Sequence, residues 1–239
     1  MRLVADAFLS ERLGRNAWTL RYDPENPAAD AGRLAELLEG HPGFVQARVE
    51  PERMDVCAML EACGFALADV NLTFQGRPSG GANAGSGQMQ VGPARPEDRE
   101  TLQRLAGQNL ICNRFHLDPA IPKQVASDIK ARWVGNYFDG KRGDALLTAR
   151  DERGVLGFLL LLGGPAHWTV DLVAVDLQAR RQGVGSVLLW SIPGLAAQDA
   201  SVTVGTSAAN MAAIRLYQSL GLRLERSTLI FHRHGAQEP

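Results

Sequence analysis

Apolar and polar positions repeat with two periods along this chain, and each change of period marks an element. From Met89 onward the order is legible. Met89-Gln90-Val91-Gly92 reads as a short strand. Pro96, Glu97 and Asp98 suit a helix start, and Leu102, Leu105 and Ala106 follow at helical spacing. A second helical stretch runs from about Pro122 to Phe138. Asp144 to Ala149 and Gly154 to Leu162 read as two strands of a hairpin, split by Asp151-Glu152-Arg153-Gly154. Trp168 to Val175 is a third long strand. A glycine-bearing turn then leads into a helix from about Gly183, which Pro193-Gly194 should interrupt or end. Ser201 to Thr206 is strand-like. Asn210 to Leu220 is helical, with Gly221 placed as its C′ residue, and Leu222 to Phe231 supplies the last strand or two. Strands and helices alternate, so the class is mixed α/β.

Gly76 to Gly87, G-R-P-S-G-G-A-N-A-G-S-G, breaks this pattern. Nothing in it can pack, and its glycines make a single ordered conformation costly. The expected division is a small α/β domain over 1–75, a linker over 76–88 and a larger domain over 89–239. The end of the first piece compares with the end of the second. Met59-Leu60-Glu61-Ala62-Cys63-Gly64-Phe65 runs into Ala66 to Phe74, much as Leu216-Tyr217-Gln218-Ser219-Leu220-Gly221-Leu222 runs into Arg223 to Phe231. A half-repeat and simple convergence on a common helix–glycine–strand unit both explain the likeness. The first copy has no Gly-x-Gly turn, and Leu60 stands where Tyr217 stands, so it should not carry the chemistry.

Composition narrows the picture further. A formal net charge of -1 removes any global electrostatic case for nucleic acid or an anionic membrane. Cys57, Cys63 and Cys112 have no zinc-knuckle or redox spacing and read as structural thiols of a reducing compartment. Asp6 interrupts the N-terminus before an apolar secretory core can form, and no apolar run approaches the roughly 20 residues that span a bilayer. The expected location is cytoplasmic.

The chemistry is concentrated in Arg180-Arg181-Gln182-Gly183-Val184-Gly185-Ser186. A strand, a tight Gly-x-Gly turn and a helix start make an anion site, because glycine lets backbone N–H groups point inward. The helix dipole adds up to about 2 kcal/mol for a well-placed anion, and Arg180 and Arg181 can contact a phosphate. A pyrophosphate is the expected guest. A P-loop would need Lys in the turn, and a dinucleotide fingerprint would need glycine where Leu188 stands. A structural turn without a ligand stays open.

Arg180-x-x-Gly183-x-Gly185 after the strand Thr169–Val175, followed by Asn210-x-x-Ala213-x-x-x-Tyr217-x-x-x-Gly221, resembles the GCN5-related N-acetyltransferase (GNAT) superfamily over residues 89 to about 234. That resemblance implies a mixed, mostly antiparallel sheet with a splayed central strand pair. The small N-terminal domain would be a degenerate GNAT-like unit. It implies acetyl-CoA as co-substrate, held by Val173, Ala174, Val175, Arg180, Arg181, Gln182, Gly183, Val184, Gly185, Ser186 and Asn210, with no metal. Asn113-Arg114-Phe115-His116-Leu117-Asp118-Pro119, Trp133-x-x-Asn136-Tyr137-Phe138 and Val204-Gly205-Thr206 are similar to TDP-fucosamine acetyltransferases, which acetylate a TDP-linked 4-amino-4,6-dideoxy sugar. Ser207 and Leu222 depart from that narrower pattern.

Tyr217 is the expected general acid for the departing thiolate, since a phenol of pKa near 10 is fully protonated at neutral pH and so has a proton to give. A packing tyrosine is its alternative, and a plain helix cap is the alternative for Asn210. Asp171, an acid inside an apolar strand, is the candidate base, with a structural salt bridge as the equal alternative. Arg114, His116, Trp133, Tyr137 and Thr206 form the candidate acceptor side, Arg114 on a phosphate and Trp133 or Tyr137 on a ring. His232 and His234 have metal-compatible spacing without an apparent third ligand, so exposed strand histidines are expected. Another amine acceptor, a non-catalytic acyl-CoA-binding module and a homodimeric assembly all stay open.

Overall fold

The structure, a computed structural model, describes residues 1–22, 31–79, 89–164, 166–192 and 201–235. In chain order the elements are β1 (Arg2–Ala5), α1 (Ala7–Leu13), β2 (Ala17–Arg21), α2 (Ala31–Glu39), β3 (Phe44–Val49), α3 (Met54–Ala62), β4 (Ala66–Gly76) and β5 (Gln90–Pro93). They continue with α4 (Arg99–Asn109), α5 (Arg114–Leu117), α6 (Lys123–Phe138), β6 (Ala145–Asp151), β7 (Gly154–Gly164), β8 (His167–Val175), α7 (Val184–Trp190), β9 (Ser201–Ser207), α8 (Met211–Ser219) and β10 (Arg223–His234). The mixed α/β class and the mostly antiparallel pairing agree with the sequence reading. Leu222–Phe231 supplies one strand. The helix after the glycine turn ends at Trp190, and the break expected at Pro193-Gly194 lies outside the described residues, as do positions 80–88 of the expected linker.

Two compact units emerge, and they cut across the linear division at 76–88. The first takes residues 1–71, 114–125 and 227–239; the second takes 72–113 and 126–226. The reason is pairing: the C-terminal half of β10 returns to β3, with Leu229 opposite Val49 and His234 opposite Phe44.

In the first unit β1 runs antiparallel to β2, β2 parallel to β3, and β3 antiparallel to β10. Alternation puts Val45, Ala47, Val49 and Phe231 on one face, where they pack with Leu34 and Leu38 of α2 and Val56 and Leu60 of α3. The other face carries Thr19, Gln46 and His232. Gly64 after α3 has φ +81° and Gly221 after α8 has φ +79°. Phe65 N donates to Leu60 O and Leu222 N to Tyr217 O, both at 3.0 Å. The two helix–glycine–strand units therefore share their C-cap geometry, with Leu60 and Tyr217 in equivalent places.

In the second unit β5 to β8 form an antiparallel meander, and β9 joins β8 in parallel. Both sheet faces are covered. Leu102, Leu105 and Val134 from α4 and α6 pack on Leu146, Phe158 and Leu160. Val184, Leu188, Leu189 and Tyr217 from α7 and α8 pack on Leu147, Leu159, Leu161 and Val204. Gly157 inside β7 permits this layering. A Cβ there would lie 2.7 Å from Ala174 O and 3.2 Å from Val184 Cγ1. Gly157→Ala should therefore lower stability by about 1–3 kcal/mol through overpacking, read as a fall in thermal midpoint. An unchanged midpoint would show that α7 is not held this close to the sheet.

Candidate active site

The site begins with an irregularity in β8. Leu160 pairs with Leu172 but Leu161 pairs with Val170, so Asp171 is an extra residue, a bulge. The bulge reverses the faces: Val170 packs with the α7–α8 layer, Leu172 and Ala174 with the α4–α6 layer. The parallel register of β8 with β9 ends at the same place, running from His167 opposite Ser201 to Val170 opposite Val204. Beyond it, among the described residues, β8 continues against β7 alone, with Val173 opposite Leu159 and Val175 opposite Gly157. Asp176 N donates to Leu156 O at 2.8 Å. Successive residues alternate sides along a strand, so the main-chain groups of Val173 and Val175 face away from β7. Those of Ala174 face β7. The parted strands thus expose backbone donors and acceptors at two of the three β8 positions named from sequence.

The glycine turn follows. Arg181 has φ +64° and Gly183 has φ +81°, two left-handed residues that wind the chain tightly into α7. For Arg181 that conformation costs about 1–2 kcal/mol. The first α7 hydrogen bond runs from Val187 N to Gly183 O, which puts the N–H groups of Val184, Gly185 and Ser186 at the open helix end. A Cβ on Gly185 would lie 3.0 Å from Leu216 Cδ2 and 3.8 Å from Val175 Cγ2. The helix start, the end of β8 and α8 converge there. Arg180 is exposed and donates to Asn109 Oδ1 at 3.1 Å. Gln182 is exposed and turns back to Gln178 O at 2.9 Å.

Tyr217 is buried in the same apolar cluster as Val173 and Val175, and its ring lies 5.6 Å from that of Phe74. Burial pushes its phenol well above the usual tyrosine value. Asn210 is the N-cap of α8, its Oδ1 accepting from Ala213 N at 3.2 Å. The cap role expected as an alternative is thus present, and the Nδ2 donor is a separate resource.

Asp171 holds Arg142 through two 2.6 Å hydrogen bonds. That guanidinium lies 4.7 Å from the Trp133 ring, and Lys130 Nζ lies 4.4 Å from the same ring. Trp133 therefore sits among cations, and Arg142 is a site component without any motif to announce it. Tyr137 packs edge-on against Phe138 at 5.5 Å. Thr206 is buried near the end of β9.

In the first unit, α5 carries Arg114 and the buried His116, whose carbonyl accepts from Lys123 Nζ. The expectation of exposed strand histidines fails: His232 is 3% exposed, and Asp118 completes the cluster. Asp118 Oδ2 accepts from His232 Nδ1 at 2.7 Å and His234 Nε2 at 2.8 Å. Arg15 donates to His234 Nδ1 at 2.6 Å. The three groups lie within 4.8 Å of one another, a ligand-like spacing. Arginine can only donate, so His234 keeps its proton on Nε2, toward Asp118. A second cation beside Arg15 would be repelled, and the arrangement is that of a hydrogen-bonded cluster. Local sequence could not pair Asp118 with residues 114 and 116 positions away.

Residues 114–222 match the acetyltransferase (GNAT) family. The spore coat polysaccharide biosynthesis protein SpsD of Bacillus subtilis (strain 168) is 28% identical over 146 residues, 60% of this chain. The match spans half of that relative's length. A GCN5-related N-acetyltransferase from Sphaerobacter thermophilus superposes with a TM-score of 0.61 at 12% identity, over 99% of this chain and 77% of that one. A tandem GNAT protein from the clavulanic acid biosynthesis pathway does so with 0.59 at 12% identity, over 93% and 76%. At these identities the two structures establish the fold.

The Asp118–His232 pair makes stability depend on pH. Burial, then the charge of Arg114, lowers the His232 pKa, against the pull of Asp118. Burial would raise Asp118, but hydrogen bonds from both histidines and Ala120 N hold its carboxyl well below the usual range. Both folded-state values lie below the unfolded ones, so each contribution is full above its unfolded pKa and fades as pH falls. The thermal midpoint should drop from about pH 6.5 downward, the ordinary histidine value, and further below about 4. His232→Gln should flatten the first part of the curve. A wild-type midpoint that stays level from pH 7.5 to 5 would refute the buried neutral imidazole.

Proposed function

We propose, from the match of residues 114–222 to the GNAT acetyltransferase family, that the chain transfers an acetyl group from acetyl-coenzyme A directly to a primary amine of a small molecule. The observation that carries the reading is the parted β8 edge, with Val173 and Val175 facing the gap beside the Arg180–Ser186 turn. Coenzyme A fits this donor set. The N–H groups of Val184, Gly185 and Ser186, aided by Arg180 and Arg181, would hold the pyrophosphate. Val173, Val175 and the Asn210 amide would hold the pantetheine arm. A backbone N–H in the gap would stabilise negative charge developing on the thioester oxygen.

Tyr217 keeps its proton at any ordinary pH because it is buried, so it is in its donor form when the thiolate departs, and the same apolar surroundings raise the proton affinity of that thiolate. Asp171 takes the amine proton. Each carboxylate oxygen retains a lone pair beyond the one given to Arg142, and the bulge sets the residue where the strands part. The favoured acceptor is a nucleotide-linked 4-amino-4,6-dideoxy sugar such as the TDP derivative. Support comes from the Arg114–His116 segment, from Trp133 among cations, and from a relative named for polysaccharide biosynthesis. Residues 89–239 would carry the chemistry, and the matching C-cap geometry of α3 and α8 supports a degenerate repeat ahead of them.

Free-thiol release from acetyl-CoA should appear with TDP-amino sugars in an amine panel. Activity confined to peptides or polyamines would sink the sugar acceptor, and silence on every amine would leave an acyl-CoA-binding module. Tyr217→Phe should lower kcat by about 10²-fold, and equal turnover across pH would remove Tyr217 as the acid. Gly183→Val should weaken coenzyme A binding by about tenfold or more, since a β-branched residue strains at φ > 0. Undiminished affinity would take the turn out of the mechanism. Asp171→Asn should lower kcat by about 10²-fold with KM little changed. Loss of stability with kcat intact would make it a salt-bridge residue only.

A further inference from the structure

Asp171 stands where the sheet opens, and its partner offers more than a counter-charge. Arg142 lies in the loop after α6, and that loop is tightly held. Lys141 N and Arg142 N both donate to Asn136 O, at 2.8 Å and 3.2 Å, and Asp144 N donates to Leu161 O at 2.8 Å. Gly143 has φ +96°, and a Cβ there would lie 2.5 Å from Leu160 Cδ1 and 2.9 Å from Tyr137 Cδ2. The side chain is fixed as well. Its guanidinium lies 4.7 Å from the Trp133 ring, while Nε and Nη2 each donate to one Asp171 oxygen at 2.6 Å. Asp171 is thereby oriented from the α4–α6 side of the sheet, whereas the start of α7 and Tyr217 belong to the α7–α8 side.

A guanidinium has two donor edges, and Asp171 takes only one. Nε–H and one Nη2 hydrogen meet the carboxylate, which leaves the second Nη2 hydrogen and both on Nη1. Among the described residues Nη1 has no hydrogen-bond partner, and the side chain is 34% exposed, so this outer edge is within reach of a bound molecule. Asp171 has the complementary surplus, since each oxygen keeps a lone pair beyond the one given to Arg142. Groups bound at Oδ1 and at Nη2 must themselves be close neighbours, because those two atoms are 2.6 Å apart. Substituents on adjacent carbons meet that condition. We propose that Asp171 and Arg142 together read a vicinal pair on the acceptor, the amine at Oδ1 and an oxygen of the next carbon at the outer edge of Arg142. Arg142 is then a specificity-determining residue, and the acceptor class is a vicinal amino alcohol or an α-amino acid. The inference deepens the amine acetylation proposed above and rests on it. In the favoured sugar, the hydroxyl at C3 beside the C4 amine is the oxygen that is read. A salt bridge with a merely hydrated outer edge is the competing account.

The test is thiol release by the full chain at saturating acetyl-CoA, on two matched pairs of acceptors. One pair is a TDP-linked 4-amino-4,6-dideoxy sugar and its 3-deoxy analogue; the other is glycine and methylamine. Within a pair, the oxygen-bearing member should have the higher kcat/KM by about tenfold or more, carried mostly in KM. Arg142→Met keeps the stem on Trp133 and removes the donors. It should slow both members through Asp171 and also erase the preference between them, whereas loss of a salt bridge alone would slow both and leave the preference. Thermal midpoints establish folding. If Arg142→Met does not fold, Arg142→Lys, with charge but no fork, should reduce the preference. Transfer without a preference, or a preference undiminished in the folded variant, overturns the vicinal reading and leaves acetyl transfer standing. A preference in the glycine pair alone upholds the vicinal reading and rejects the sugar. If no thiol is released, acetyl transfer fails, and calorimetric titration of both pairs in the presence of coenzyme A decides. Tighter binding of the oxygen-bearing member that Arg142→Met abolishes upholds the vicinal reading; equal binding, or none, overturns it.

Discussion

The second unit depends on one constraint: β8 must stay paired to β7 while it leaves β9. A buried backbone group without a partner costs about 1–3 kcal/mol, so sheets seldom open in the middle. Here β8 holds its register with β7 to Val175 against Gly157, and helices cover both faces. The strand is therefore anchored on the side away from the gap. The bulge at Asp171 supplies the change of direction, and the register with β9 stops one residue before it. What the opening leaves unsatisfied is a row of main-chain donors and acceptors, which suits an amide-bearing arm.

Close approach makes the opening usable. Gly157 lets Val184 reach the sheet, and Gly185 leaves room for Leu216 and Val175. These absent side chains bring the α7 start, the end of β8 and the helix bearing Tyr217 into one place. The same packing buries Tyr217 and raises its pKa. A tyrosine so placed stays protonated and is a weaker acid than a free phenol. Its position and its protonation state have a common cause in the tight layering around the glycines.

Much of this was legible in sequence because it is local. The strand–turn–helix at Arg180–Ser186, the helix from Asn210 to Gly221 and the hairpin at Asp151–Gly154 each depend on neighbours within a few residues. The bulge was visible only as an acid in an apolar strand, and neither its face reversal nor Arg142 as its partner had a local signal. Pairings across the chain were hidden for the same reason. Asp118 meets His232 and His234, and β10 returns to β3, through topology rather than spacing. Gly157, a glycine inside a strand, was the one local sign of close approach available.

The first unit carries a helix–glycine–strand segment without a Gly-x-Gly turn before it. Its α3–Gly64–β4 segment keeps the C-cap geometry of α8–Gly221–β10, but Leu60 replaces the tyrosine and packs into the core. One sheet face is thereby ordinary apolar structure, fully covered by α2 and α3. The opposite face is costly. Gln46 Oε1, His232 Nε2 and Arg114 Nε are all buried without partners, at roughly 1–3 kcal/mol for each neutral group and more for the charged one. Apolar residues in a well-packed sheet would avoid that cost. A fold that is stable by only about 5–15 kcal/mol can carry such a deficit on one face only where the other packs well. The apolar face therefore carries the stability of the unit, and the polar face draws on it.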